Sequence, residues 1–201
     1  MEYVKDQRKY IEKHLDEEEV FLPEKGKPGP VEVKLTKDVV LIILDSQWWL
    51  HDFKKNYDGI EDETDFFVQL KDALDRNRNK KIIIAAHHPL YSYGKYGGKL
   101  PLSYNFFLLL DANKFLYITL PGFIYTGYRK FFGFKQDLSH PEYKMFREAL
   151  LETINSHPDL IYVAGHDQNL QYFEKDSVHH IISGSAGAAE FVAKCKNAEF
   201  T

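Results

Sequence analysis

Two short segments of the chain concentrate the side chains that bind metal ions. His87-His88-Pro89 directly follows the apolar run Ile82-Ile-Ile-Ala-Ala, and Gly165-His166-Asp167-Gln168 directly follows Leu160-Ile-Tyr-Val-Ala. A histidine at the exit of a rigid buried strand is held by the sheet while its imidazole faces the crevice beyond, where an ion accepts nitrogen ligands. For either histidine alone a structural reading competes with this, the ring simply capping the strand end through hydrogen bonds. Two such exits in one chain make a metal site plausible.

The elements that must position them follow from apolar periodicity. Val4, Ile11 and Leu15 suggest an opening amphipathic helix that ends before Pro23. Val31 to Leu35 alternates like a half-exposed strand, and Val39 to Leu44 reads as a strand covered on both faces, with Asp45 at its carboxyl end. Phe67, Leu70 and Leu74 mark a helix before the Ile82 strand. Ser139 and Glu142 are spaced as a capping box, opening a helix whose buried stripe is Phe146, Leu150 and Ile154. The Leu160 strand follows, and Gln171 to Glu174 with Val178 to Ser183 form a closing hairpin. Strands alternating with helices predict an α/β layered fold that places ligands beyond the carboxyl ends of the strands. Residues from about 90 to 138 break this rhythm with an aromatic-rich insertion that includes Tyr91, Tyr93, Tyr96, Phe106, Phe107, Phe123, Tyr125, Phe131 and Phe134. A substrate lid, a membrane-resting surface and a docking site are open readings of it, and core packing is the expectation for most of its rings.

The chain has 201 residues and a formal charge of −4, so one domain is expected, with no basic field of the kind nucleic acid requires. Cys195 is alone, which rules out an intrachain disulfide and a cysteine zinc site. No apolar run approaches the ~20 residues of a membrane span, so the chain as written reads as soluble. Charges in Met1 to Arg8 leave no export signal to read, and the compartment stays open.

The segments Ala85-Ala86-His87-His88-Pro89-Leu90-Tyr91-Ser92 and Ala164-Gly165-His166-Asp167-Gln168-Asn169-Leu170-Gln171-Tyr172 resemble two metal motifs of the calcineurin-like metallophosphoesterases, in the purple acid phosphatase branch. The glycine turn Ser183-Gly184-Ser185-Ala186-Gly187 and the strand-end segment Leu44-Asp45-Ser46-Gln47-Trp48-Trp49 are similar to further segments of that family. The resemblance implies the C-terminal half of a layered αββα sandwich, as a single partial domain over 1–201. It implies hydrolysis of phosphate esters by two metal ions drawn from iron, zinc or manganese. Position by position, it makes His87 and His166 ligands of one metal and His88 a second-sphere or substrate-facing group. Gln168 falls where the family has a histidine for the other metal, and an amide oxygen is a weaker ligand there. The family's Asp-x-His, Gly-Asp-x-x-Asp and Gly-Asn-His motifs do not occur in the sequence. Activity would therefore need a missing N-terminal half or a second chain. The alternative is a degenerate, non-catalytic module that binds a metal or a partner.

Other polar features have plainer readings. Asp45 either orients a ligand histidine or starts a turn, and Trp48 and Trp49 either wall a pocket or fill the core. His179 and His180 lie in a strand and face opposite ways, so both are structural. Gly184 serves close packing, not a nucleophile elbow. The acidic run Asp58 to Asp65 suits a helix N-terminus and needs no calcium.

Overall fold

The computed structural model describes residues 2–16, 20–51, 60, 62–101 and 120–194. Cys195, Phe106, Phe107 and much of the acidic run lie outside them. Helix α1 (Glu2–Leu15) leads through a 3-10 turn (Glu24–Gly26) to strands β1 (Val31–Lys34) and β2 (Val39–Ile43). Helices α2 (Gln47–Leu50) and α3 (Glu63–Arg76), strand β3 (Lys81–Ala85), and helices α4 (Leu120–Phe131) and α5 (Pro141–Ile154) follow. Strands β4 (Leu160–Ala164), β5 (Leu170–Lys175) and β6 (Val178–Ser183) complete the order.

The strands form one mixed sheet in the order β1-β2-β3-β4-β6-β5. Its centre, β2 through β6, is parallel, while β1 and β5 add antiparallel edges. The α/β expectation holds. Because side chains alternate across a strand, the register divides the sheet into two faces. Val40, Ile42, Ile82, Ile84, Leu160, Tyr162 and Val178 point to one face and are buried there. Helices α3 and α5 cover it, with α2 against α5.

Each covering helix can be traced to its residues. In α3 the Asp62 carboxylate accepts from Thr64 N at 2.7 Å and Asp65 N at 3.1 Å, an N-cap worth about 1 kcal/mol. Its acidic first turn favours the helix dipole, as the sequence suggests. Phe66, Leu70, Ala73 and Leu74 form its buried stripe, with Phe66 rather than Phe67 innermost. In α5 the buried stripe is Tyr143, Phe146, Leu150, Leu151 and Ile154. The expected capping box at Ser139 does not form: Pro141 opens the helix behind His140, and Ser139 Oγ instead donates to the carbonyl of Arg129 at 2.6 Å. Trp48 and Trp49 are core, Trp49 packing on Phe66, Phe67 and Phe146.

The expectation that the central strands are covered on both faces is corrected. Leu41, Ile43, Ile83, Ile161, Val163 and Ile181 share the second face and are only partly buried, and on β5 Leu170 and Tyr172 are exposed. An apolar run is required wherever a strand is sandwiched, but its composition alone does not say which chain supplies the second cover. Among the described residues, no helix is long and apolar enough to cross a membrane.

Candidate metal centre

Strands β3 and β4 are parallel neighbours, so their carboxyl ends deliver His87, His88 and His166 to one place. One ring nitrogen from each lies within 4.8 Å of the others. The closest pair is His166 Nδ1 and His87 Nε2, at 3.1 Å. His166 is left-handed, with φ of 66°, a conformation uncommon outside glycine and concentrated at functional sites.

Hydrogen bonding fixes which nitrogens are available. His166 Nε2 is 2.8 Å from the carbonyl oxygen of Gln136. A carbonyl only accepts, so Nε2 carries the proton and the lone pair of Nδ1 faces His87. Burial holds the His166 pKa down to about 4, so the ring is neutral near pH 7. Two ligand nitrogens 3.1 Å apart, each about 2.1 Å from an ion, would subtend roughly a right angle, as neighbouring ligands do in a six-coordinate site. The donor set fits one ion. His87 is the exposed member, its pKa lowered by desolvation of the ring against the cluster and opposed by the Asp45 charge.

His88 is different. It is fully buried, and both of its ring nitrogens are engaged: Nδ1 with Ser46 Oγ at 2.8 Å and Nε2 with the Gln136 side-chain oxygen at 2.7 Å. Ser46 Oγ also accepts from His88 N at 3.1 Å, while the Gln136 amide donates to Gln47 Oε1 at 3.2 Å. This directional chain leaves His88 no free lone pair. Burial lowers its pKa to about 3. The geometry suits a ring that positions its neighbours.

Asp45 accepts from Gln47 N at 3.0 Å, the bond of a turn-starting aspartate, and its pKa is raised by burial. The Gln168 side chain is exposed, and its backbone oxygen accepts from Glu190 N at 2.6 Å. Asp167 is fully buried: Ser92 Oγ donates to one carboxylate oxygen, and Tyr96 N donates to the other at 3.2 Å. That loop lays the Tyr96 ring on His166, with centroids 3.9 Å apart. Gly184 is required by close approach, since a Cβ there would stand 2.1 Å from the Asp167 carbonyl oxygen.

Sequence reasoning missed Ser46, Gln136 and Tyr96. Ser46 carried a signal, because it sits three residues past the end of the parallel strand β2, within a segment already singled out. Gln136 carried none.

The clamp that places Gln136 begins in α4. Arg129 and Asp137 form a buried ion pair, with Nε to Oδ2 at 2.9 Å, and Asp137 also accepts from Phe134 N at 2.9 Å. Gly133, at φ of 73°, ends the helix where any Cβ would strike Ser139 Oγ. In the insertion, Tyr91 packs on the core and Tyr96 on His166, but Phe123, Phe131 and Phe134 are exposed. The expected core packing of most of its rings is corrected for these, because α4 and the turn after it leave them facing solvent.

No protein-family model and no curated protein sequence matches the chain. A solved structure described as "GAP50 the anchor in the inner membrane complex of Plasmodium" is similar at a TM-score of 0.46 and 17% identity, over 84% of this chain and 40% of that one. The chain therefore spans less than half the length of that structure.

Proposed function

We propose that the chain supplies one metal-binding half of a phosphate-ester hydrolase of the calcineurin-like type, incomplete without a second β-layer that bears the remaining ligands. The observation that carries this reading is the convergence of His166 Nδ1 and His87 Nε2 at 3.1 Å from two adjacent strand exits. His87 and His166 would hold one ion, with iron, zinc and manganese as candidates, and Gln168 would lie toward a second. A bound ion would supply Lewis acidity toward a phosphoryl oxygen. The chain's own residues orient that chemistry: Gln136 fixes the tautomer of His166, Ser46 and Gln136 orient the His88 ring while burial keeps it neutral, and Tyr96 shields one face of His166 from water. The half-covered apolar face across β2, β3, β4 and β6 supports the need for a second layer, because parallel sheets are ordinarily covered on both sides.

Zinc or manganese titrated into the purified chain should bind one equivalent, and His87→Ala and His166→Ala should each abolish binding. Ester turnover should stay near background until an N-terminal half containing the three absent motifs is added. A chain that binds no metal, or binds it equally well as His87→Ala, overturns the proposal. A second reading, a non-catalytic metal- or partner-binding module, is favoured by the exposed amide of Gln168. It predicts metal binding with no turnover even after the missing half is supplied.

A further inference from the structure

Among the described residues of the insertion, the exposed apolar side chains are concentrated on one helix and its carboxyl end. Ile124 is 65% exposed and Phe131 and Phe132 each 67%, with Tyr128 and Phe134 also open. Ile124, Tyr128 and Phe131 recur at i, i+4 and i+7, the spacing of a single helical stripe, and Phe132 extends it beyond the helix end. The opposite side, carrying the buried Arg129, is clamped to Asp137, so the stripe cannot be turned inward without breaking a buried ion pair. The rings also order one another. Tyr128 stacks on Phe132 at 5.8 Å and meets Phe134 at 5.1 Å.

Charge separates this surface from the rest of the chain. Residues 120–137 carry Lys130 and Lys135 beside the mutually paired, buried Arg129 and Asp137, a local excess of positive charge in a protein whose formal charge is −4. Beside the stripe, Gly98, Lys99, Phe123, Gly127, Lys130 and Phe191 line a cleft of about 480 Å³ with two lysines on its wall. The Lys130 ammonium lies 5.5 Å over the Phe131 ring, so an apolar ring and a cation present together.

We infer that α4 is an interfacial docking element that rests its Ile124, Tyr128, Phe131 and Phe132 stripe on an anionic phospholipid bilayer. The side chains enter the boundary between headgroups and acyl chains, and Lys99 and Lys130 meet lipid phosphates. Aromatic rings with adjacent lysines are the composition that such interfaces select, and the basic local charge complements an anionic leaflet. The element lies on the surface and does not span. Because the same clamp delivers Gln136 to His88 and His166, docking would hold the histidine cluster at a fixed place relative to the lipid surface.

Co-sedimentation of the full chain with phosphatidylcholine vesicles containing about one-quarter phosphatidylserine tests this. Binding should be several-fold weaker to pure phosphatidylcholine and should weaken as salt is raised. The triple variant Ile124→Ser, Phe131→Ser, Phe132→Ser should lose at least about tenfold in partitioning. Lys130→Gln should lose about fivefold. These side chains are largely exposed, so circular dichroism and thermal melting of the variants should match the parent. Absence of vesicle binding, or undiminished binding by the triple variant, overturns the inference. So does a lipid-free dimer that the triple variant dissolves, since a second copy would then be what covers the stripe.

Discussion

The chain contains the dipeptide His-His twice, and the two copies have opposite fates. His87-His88 stands just past the end of β3, where the backbone turns, and both rings join the cluster, with centroids 4.8 Å apart. His179-His180 lies within β6, so its rings point to opposite faces. His179 stacks with Tyr172 and shares a 2.8 Å hydrogen bond with its hydroxyl, while His180 is buried edge-on to Tyr91. Burial depresses the pKa of the inner ring in each pair, to about 3 for His88 and about 4 for His180. Only His88 has partners, one on each nitrogen. Neither nitrogen of His180 has any. A polar network surrounds the inner ring of the pair at the strand exit, and none surrounds the inner ring of the pair in the strand.

Replacing each inner ring by leucine, close to histidine in volume, should move stability in opposite directions. His88→Leu leaves the buried Ser46 Oγ and the half-buried Gln136 Oε1 without their ring partner and should cost about 3 kcal/mol in urea unfolding, by two unsatisfied groups at roughly 1–3 kcal/mol each. A neutral result would show that the network contributes little.

The second test uses acid. His180 titrates near 6.5 in the unfolded chain and near 4 when folded, so its contribution is complete above pH 6.5, is lost as pH falls toward 4, and changes no further below that. The charged and titratable groups around it are Lys175, Asp176 and His179, with Tyr162 beside it and Arg147 and Lys175 lying over the Tyr91 ring. Unfolding at pH 7 and pH 4 should differ by on the order of 3 kcal/mol less in His180→Leu than in the parent. Equal pH dependence of the two proteins would remove His180 as the cause.

At pH 7 the same His180→Leu variant should be more stable by about 1 kcal/mol, because two unpaired buried nitrogens are removed. Destabilisation there would reveal a partner for the ring. The smallest effect should come from Ser46→Ala. It should cost about 1 kcal/mol and weaken zinc binding only a few-fold, since Gln136 still holds His88. Loss of zinc binding as complete as in His87→Ala would promote Ser46 from support to a necessary part of the site.

Much of the scaffold could be read in advance, because runs such as Val39 to Leu44 and Ile82 to Ala86 leave few alternatives to buried strands. The placement of the two strand-exit histidines was legible for the same reason, since a residue just past a buried strand is positioned by local sequence alone. Gln136 was not. It reaches His88 across 48 positions of sequence, through a helix end held by the Arg129–Asp137 pair, and no periodicity records a contact of that kind. The capping box at Ser139 failed for a related reason: Pro141 presets the first helical turn, and a tertiary acceptor on Arg129 took the hydroxyl. Burial of the insertion's rings was inferred from residue type, and type does not say which way a helix will face.

The half-covered face of the sheet also has a thermodynamic signature. Denaturant slopes and the heat capacity of unfolding scale with the apolar surface newly exposed when a chain unfolds. Leu41, Ile43, Ile83, Ile161, Val163 and Ile181 already meet solvent in part in the folded chain. The slope in urea should accordingly fall below that of an ordinary domain of 201 residues, and it should rise when a complementary layer is bound.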